Sequence, residues 1–387
     1  MPSSFLSSDL ASKTALILST VLVSPCFIFG DSIEMMFIGE GSFLMGDDTN
    51  LKDEKPAHYV SISDFYVDVY EVHIWHWEKV ATWAEANGYV FSDPAKLRKD
   101  GPWWYKDRSG LLFPMNMANW YDSVKWCNAR SELEGRIPVY YTDSNQTTVY
   151  RTGDLDLTDS NVNWTASGYR LPTEAEWERA ARGKSAMNGM AYSWGNSFLN
   201  GSMANYSKSG DPFDDASTPV GYYDGRQKII SSDNSRGGET TSHSDMISSF
   251  GLYDITGNVS EWCWDWYDPE WYGNPFTKVI NNLAVVSDNH GPSRVPTDDI
   301  VGGTRVIRGG SFQHDDVLES TNSLRLAFRH QRKPTTALRT LGFRCIRWDI
   351  KEKLWFNAKA LGSSDAKWKY LEWFGTFFQS DYHWIYH

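Results

Sequence analysis

Long runs of regularly spaced apolar residues are scarce in this chain of 387 residues, and this scarcity limits the folds open to it. Aromatic side chains are instead frequent, with 19 Trp, 20 Tyr and 19 Phe, and 30 Gly accompany them. Large rings bury much apolar area without long helices or strands. The sequence therefore predicts a loop-rich fold held by aromatic packing and turns, with less regular structure than usual.

Three segments nevertheless have features of helices. The first begins near Ile74, and the second covers residues 121–133 with Asn119 as its candidate cap. The third contains Thr173 and Glu176 in the order T-x-x-E, in which each side chain can satisfy a backbone N–H of the first turn. We expect a helix in each of these segments.

The first 30 residues are typical of an export signal. Lys13 precedes the apolar run TALILSTVLVSPCFIFG, which turns polar at Asp31. The run is short for a membrane span and has the length of a signal-peptide core. We expect a cleaved signal peptide over residues 1–30, no membrane span afterwards, and a secreted, periplasmic or cell-surface protein. A non-cleaved anchor or a misassigned start is the alternative.

Residues 31–350 have a continuous texture without a Pro/Ser-rich linker, which indicates one domain. Within it, VSISDFYVDVYEV (residues 60–72) alternates well enough for a strand or a pair of strands. Residues 351–387 form a Trp-rich tail, which is either a hairpin packed on the domain or an attachment element.

The charge of the chain excludes one class of partner. The net charge is −12, and no Lys/Arg cluster resembles a phosphate-binding stripe. Because phosphate neutralisation dominates the affinity of proteins for nucleic acids, we expect no nucleic-acid partner. We expect the protein to be a monomer.

The segment GLYDITGNVSEWCWDWYD places Asp254, Asn258 and Glu261 among tryptophans and glycines. One interpretation is a turn in which the Asp and Asn side chains bond to nearby backbone amides while Glu261 caps another. The other is a cation held by these oxygens, since Ca²⁺ takes oxygen ligands from flexible loops. The residues alone favour the turn.

Eight motifs follow one another along the chain: GSFLMG, EKPAHYVSISDFYVDVYEV, RLPTEAEWERAARG, YSWGN, ANYSKSGDPF, GLYDITGNVSEWCWDWY, RVIRGGSF and LGFRCIR. In this order they resemble the formylglycine-generating enzyme family, also called the sulfatase-modifying-factor family, over about residues 35–348. The resemblance implies one α+β domain with a C-type-lectin-like fold. It also implies oxidation of a sulfatase cysteine to formylglycine by molecular oxygen, with copper held by two thiolates.

The sulfur ligands of that copper are missing here. Aligning the GGS motif with that of the family places His314 at the first thiol position, and aligning AFR places Thr321 near the second. No cysteine lies between Cys263 and Cys345. Because Cu(I) prefers soft ligands, we expect no copper cofactor and no thiolate-dependent oxidation.

Two residues near the GGS motif are weak catalytic candidates. His314, followed by two acids, is part of a non-haem iron pattern, although a solvated loop histidine is the favoured interpretation. Ser311 matches the active-pocket serine of the family but has no adjacent base motif, so nucleophilic catalysis is not indicated.

The resemblance changes the interpretation of the acidic residues, because matching segments of the family bind two structural calcium ions. Carried over residue by residue, the first site consists of Asp254, the carbonyls of Gly257 and Val259, and Glu261. The second consists of Asn205, the Tyr206 carbonyl, Asp211 and the Phe213 carbonyl. We therefore expect calcium at both sites. The resemblance also implies a disulfide between Cys127 and Cys345.

Three classes of function follow from these observations. The favoured one is an exported family member that has lost oxidation and binds a protein or glycan ligand on its loop-rich face, since loops on a rigid base suit recognition. The second is an oxidoreductase, either of the formylglycine-generating type or with altered metal chemistry through His314. The third is a structural component of the cell surface that uses the aromatic tail.

Overall fold

The computed structural model describes residues 34–92, 112–183, 190–195, 199–211, 213, 215–225, 245–273, 286–287, 290–292, 303–313 and 321–348. The predicted signal peptide and the predicted Trp-rich tail lie outside these residues. Within the part described, no helix is long and apolar enough to cross a membrane.

All three expected helices are present: α1 Ile74–Ala86, α2 Trp120–Leu133 and α3 Glu174–Arg182. The Asn119 side chain caps α2 by accepting a hydrogen bond from the Asp122 amide at 2.8 Å. Thr173 and Glu176 form the predicted capping box at the start of α3. Gly183 follows α3 with a φ of 71°, a conformation that favours glycine.

The strands are short, as the composition predicted. In the described part of the chain they are β1 Met35–Ile38, β2 Gly41–Met45, β3 His58–Ile62, β4 Phe65–Asp68, β5 Tyr169–Arg170, β6 Ser260–Trp266, β7 Val286–Ser287, β8 Arg305–Arg308, β9 His330–Arg332, β10 Leu341–Gly342 and β11 Ile346–Arg347.

These strands form three small sheets. The first has the order β1-β4-β11-β5 and is antiparallel throughout. The second has the order β10-β6-β8-β9, in which β10 runs parallel to β6. The third has the order β2-β3-β7, in which β7 runs parallel to β3. Mixed small sheets beside three helices make this an α+β fold.

Residues 60–72, which the sequence predicts to form a strand or a strand pair, contain the end of β3 and all of β4, and these two strands do not pair with each other. β3 pairs with β2, so that Val60 lies opposite Phe43. β4 pairs with β1 and β11. The chain therefore changes sheets at Ser63 and Asp64, and this turn lines a surface pocket discussed below.

Aromatic rings fill the space between the helices and the sheets. The Trp77 and Trp126 rings stack with centroids 5.7 Å apart and planes 8° from parallel. Phe343 meets Trp126 edge-on, with a centroid separation of 5.5 Å. The guanidinium of Arg305 lies 3.7 Å from the Trp120 centroid and 3.5 Å from that of Trp266. Packing of large rings thus supplies the core of this loop-rich domain, as expected from the sequence.

Candidate functional site

The GGS motif follows β8 in a tight turn. Gly309 and Gly310 have φ values of 95° and 69°. A Cβ on Gly310 would lie 2.9 Å from the carbonyl oxygen of Ser323, so glycine lets the two segments approach this closely. The next residue, Ser311, donates its hydroxyl to the carbonyl oxygen of Gln313 at 2.7 Å. Its hydroxyl thus bonds to a carbonyl and not to a base, so this geometry does not activate it as a nucleophile.

A narrow pocket beside this turn, the GGS pocket, is lined by Ser260, Ile307, Arg308, Gly310, Ser323, Phe328 and His330. These lining residues include no sulfur ligand. The Nε2 atom of His330 is 2.5 Å from a guanidinium nitrogen of Arg332, so this histidine nitrogen is already engaged. His314 lies outside the described residues, and of Thr321 the structure describes the backbone only.

The three described cysteines are buried, and none of them lines the GGS pocket. Cys263 belongs to β6, and the Sγ atoms of Cys127 and Cys345 are 3.5 Å apart. Burial raises the pKa of the Cys263 and Cys345 thiols well above its ordinary value. Both groups are therefore neutral thiols, whereas metal binding requires the thiolate.

Cys127 and Cys345 lie close enough for the implied disulfide, although both are free thiols in the structure. The bond would join residues 218 positions apart and stabilise the fold by about 5 kcal/mol in the chain-entropy model. We expect that alkylation of the exported, denatured protein labels Cys263 alone. A reductant should lower the melting temperature by about 10 °C.

The matched control for this prediction is Cys263→Ala, which should keep the sensitivity to reductant. Labelling of Cys127 and Cys345 without a reductant would contradict the disulfide.

Glu261, a predicted calcium ligand, is buried at the start of β6 and is engaged by two other side chains. Arg344 donates to its Oε1 at 2.7 Å and to its Oε2 at 2.8 Å. The indole N–H of Trp177 donates to Oε2, also at 2.8 Å. Glu261 thus forms a buried ion pair and does not cap a backbone amide, which corrects the turn interpretation for this residue.

Asp254 precedes Glu261 in the same predicted site and has a left-handed backbone, with a φ of 56°. Its Oδ2 accepts a hydrogen bond from the Gly221 amide at 2.6 Å. Burial raises the pKa of Asp254 to about 6, and the charge of Glu261 adds to this, whereas the Gly221 amide and Arg344 act in the opposite direction. The bond to Gly221 is long-range, so the local turn expected around Asp254 is not what holds it.

A third carboxylate, Glu71, completes this acidic group and was missed in the sequence. Its oxygens accept hydrogen bonds from Asn258 Nδ2 at 2.8 Å and from the Val259 amide at 3.2 Å. Burial raises the pKa of Glu71 well above its ordinary value, and the charges of Asp254 and Glu261 raise it further. The sequence feature that could have revealed Glu71 is an acidic residue within the apolar segment that follows β4.

These residues would carry negative charge in excess if all three carboxyls were ionised, and this mutual repulsion adds to the burial that raises the pKa values of Glu71 and Asp254. Glu71, Asp254 and Glu261 are three carboxylates, and Arg344 is the guanidinium that opposes them in their electrostatic interactions. Buried charges that are not balanced are unfavourable, and a divalent cation is one way to balance them. The group therefore fits a cation in charge, although Arg344 and Trp177 already occupy both oxygens of Glu261.

The second predicted site contacts the first through the backbone. The Asn258 amide donates to the Asn205 carbonyl oxygen at 2.9 Å. A Cβ on Gly257 would lie 2.2 Å from that same oxygen, so glycine is needed for this contact. The two predicted calcium loops thus pack directly on each other.

Within the second loop, Asn205 has a buried oxygen that fits a cation. Its Nδ2 donates to the Ala216 carbonyl at 2.9 Å, whereas its Oδ1 accepts no hydrogen bond from the described residues. Asp211 accepts hydrogen bonds from the Ser209 hydroxyl and, at 2.7 Å, from the Phe213 amide. Buried polar atoms are normally satisfied, so an unpaired oxygen beside a carboxylate-bearing loop suits an oxygen-coordinated ion.

The carbonyls of the remaining two predicted ligands also take part in turns of this loop. The Tyr206 carbonyl accepts from the Ser209 amide at 2.9 Å, and the Phe213 carbonyl accepts from the Ala216 amide at 2.8 Å. In the part of the chain that the structure describes, no three His, Cys, Asp or Glu side chains form a metal-ligand group. Each predicted site combines one or two carboxylates with amide and carbonyl oxygens instead.

The architecture described above is shared with solved structures. Treponema denticola variable protein 1 has a TM-score of 0.53 and 22% sequence identity, and the similarity covers 81% of this chain and 94% of that one. A family model described as the sulfatase-modifying factor enzyme 1-like domain matches residues 30–349. The chain therefore belongs to the sulfatase-modifying-factor family, as the motifs predicted.

Two relatives show how distant the similarity is. The formylglycine-generating enzyme of Streptomyces coelicolor is 29% identical over 331 residues, which are 79% of this chain and 86% of that enzyme. Chaperone protein LppX of Paenibacillus barcinonensis is 30% identical over 223 residues. These are 54% of this chain and 64% of LppX.

Proposed function

We propose that this protein is an exported, calcium-stabilised recognition domain that binds a protein or glycan ligand through its loops, and that it does not perform copper-dependent oxidation. The observation that carries the proposal is the GGS pocket, whose described lining offers hydroxyls, a guanidinium and an engaged histidine but no sulfur. Cu(I) that activates oxygen needs soft ligands. The family's chemistry therefore has no visible ligand set in the described residues.

Recognition is supported by the distribution of structure along the chain. Short strands and three helices hold long loops, and loops on a rigid base are where binding residues concentrate. One relative, LppX, is named a chaperone protein, and chaperones bind other proteins. The net charge of −12 argues against nucleic acid as the ligand.

Calcium would have a structural role in this proposal. Asp254, Glu261 and the carbonyls of Gly257 and Val259 would hold one ion, and Asn205, Asp211 and the carbonyls of Tyr206 and Phe213 would hold the other. The excess of carboxylates around Arg344 and the unpaired Oδ1 of Asn205 support this assignment. Bound calcium would supply positive charge and fix two loops that contact each other.

The test combines a metal inventory with an assay of the family reaction. We expect the purified, exported protein to contain calcium and no stoichiometric copper or iron. With a peptide that carries the sulfatase motif Cys-x-Pro-x-Arg, and with copper supplied, it should consume no oxygen above the rate of a buffer control. The formylglycine-generating enzyme of Streptomyces coelicolor is the positive control.

Three outcomes would overturn this proposal in different ways. Aldehyde formation on the peptide would restore the oxidoreductase interpretation. Stoichiometric iron would direct attention to His314 and altered metal chemistry. Failure to bind any ligand in a glycan array and in a pull-down with extracellular proteins would favour the structural role.

A further inference from the structure

A second, larger pocket shares no lining residue with the GGS pocket. It has a volume of about 260 Å³, and its lining includes Asp64, Trp164, Arg170, Glu176, His290 and Trp348. We call it the Trp164–Trp348 pocket. We propose that it binds a neutral saccharide ring; this deepens the recognition function proposed above and rests on it.

The fold builds this pocket from rigid elements. One wall is the turn at Ser63 and Asp64, where the chain changes from the third sheet to the first. Another is the junction of β5 and α3, which the capping box of Thr173 and Glu176 fixes. A cavity of this size is far larger than the roughly 30 Å³ share of a water molecule and smaller than a drug-sized site. It suits a single small ring.

Two charged groups of the pocket, Arg170 and Glu176, are already paired with each other. Arg170 donates to both oxygens of Glu176, at 2.6 and 2.7 Å, and also to the Leu171 carbonyl at 3.2 Å. An anionic ligand would therefore compete with Glu176 for this guanidinium and would also face the carboxylate of Asp64. The pairing disfavours an anion as the occupant.

A cationic ligand is disfavoured by the guanidinium that already lies beside the aromatic rings. The His290 and Trp164 rings are parallel to within 5°, with centroids 3.6 Å apart. The guanidinium of Arg170 lies 5.1 Å from the Trp164 centroid, so this ring already has a cation beside it. A second cation would meet the positive charge of Arg170 at short range.

A neutral ring that carries hydroxyl groups matches the aromatic and hydroxyl surfaces of the pocket. Trp164, His290 and Trp348 are all half-buried and give the pocket aromatic surface. Ser63, Thr165 and Thr173 add hydroxyls, and carboxylate oxygens can accept further hydrogen bonds. Saccharides have apolar C–H faces that pack on aromatic rings and hydroxyls that bond to such polar groups. The combination of the two surfaces in one cavity selects a sugar over a purely apolar ligand.

The experiment uses the purified full-length protein and ligand-observed NMR with free glucose, galactose, mannose, N-acetylglucosamine and N-acetylgalactosamine. Acetate and tetramethylammonium are the charged comparisons. We expect at least one sugar to bind with a dissociation constant of about 0.1–10 mM, because one small ring buries little area. Trp348→Ala should weaken this binding by about tenfold or more.

Two further variants separate the pocket from the fold. Thr165 is exposed, so Thr165→Tyr should fill the mouth of the pocket without disturbing the core and should also abolish binding. Trp75→Ala removes a half-buried tryptophan elsewhere on the surface and should leave binding unchanged.

The pocket assignment is wrong if no sugar binds, if acetate or tetramethylammonium binds more tightly than every sugar, or if Thr165→Tyr binds like the wild type. A protein or complex glycan that binds the wild type and Thr165→Tyr equally would leave the recognition function standing and overturn the pocket alone.

Discussion

Replacing Arg308 with methionine is expected to lower the free energy of unfolding by about 3–5 kcal/mol. Arg308 is 1% exposed, and its two terminal nitrogens are each 2.6 Å from a carboxylate, one of Glu174 and one of Glu178. It also donates to the Leu326 carbonyl. Methionine fills a similar volume but leaves two buried carboxylates with one counter-charge fewer. The loss therefore comes from unbalanced charge and not from a cavity.

The same substitution should change how stability depends on pH. Burial alone would raise the pKa of Glu178, but Arg182 and Arg308 hold that pKa below the ordinary value of 4.5. A carboxyl whose pKa is lowered by folding contributes stability above its unfolded pKa, and this contribution is lost as the pH falls through the folded value. Without Arg308, ionised Glu178 contributes less stability. The difference in free energy of unfolding between the wild type and Arg308→Met should therefore narrow below about pH 4.5.

Denaturant unfolding of both proteins between about pH 7 and pH 3.5 measures these differences. Lys52→Met is the matched control, since Lys52 also pairs with a carboxylate, Glu270 at 2.7 Å, but is exposed. Its unfolding midpoint should not change. The double variant Arg308→Met/Glu178→Gln should recover part of the lost stability. An Arg308→Met protein as stable as the wild type would show that this ion pair is not a main support of the domain.

Local sequence signals predicted the helices, because the groups involved are close in the chain. The capping box joins Thr173 to Glu176, and the cap of α2 joins Asn119 to Asp122, so both are visible as spacings. Motif order was enough to predict the family and its α+β fold.

Long-range partners could not be predicted in this way. Arg344 reaches Glu261 across 83 positions, and Asn258 reaches Glu71 across 187. No periodicity or spacing links such residues, since the fold alone brings them together. This is why the sequence suggested local turns or calcium for Glu261 and did not suggest an arginine. It is also why Glu71 was not recognised as part of the acidic group.

Replacing Asp254 with asparagine is expected to stabilise the calcium-free protein at pH 7.5 by about 1–3 kcal/mol. The pKa of Asp254 is raised from 3.8 to about 6, so at pH 7.5 the folded state holds an ionised carboxylate in a site that favours the neutral acid. Asparagine has no charge, tolerates the left-handed backbone at a φ of 56°, and keeps an oxygen for the Gly221 amide. The substitution thus imitates the protonated acid.

The stability that Asp254→Asn gains over the wild type should disappear as the pH is lowered. A carboxyl with a raised folded-state pKa destabilises the fold above that pKa, and the effect vanishes as the pH falls from 6 through 3.8 because the acid becomes protonated. Melting temperatures of the two proteins in EDTA, measured between about pH 7.5 and pH 4, should therefore converge. The control Glu85→Gln removes an exposed carboxylate of α1 and should leave the melting temperature close to that of the wild type across this pH range.

Calcium should reverse the order of stability if Asp254 is one of its ligands. Calcium at 100 times its dissociation constant would stabilise the wild type by about 2.7 kcal/mol. The ion would balance the buried negative charge of Asp254, which destabilises the calcium-free protein. Asp254→Asn, which lacks the charge, should gain less. Because the proton and the ion compete for the same oxygens, the calcium effect on the wild type should weaken below about pH 6. If calcium stabilised both proteins equally at every pH, Asp254 would not be one of its ligands. The ion would then bind elsewhere, and Asp254 would be a buried acid without a compensating charge.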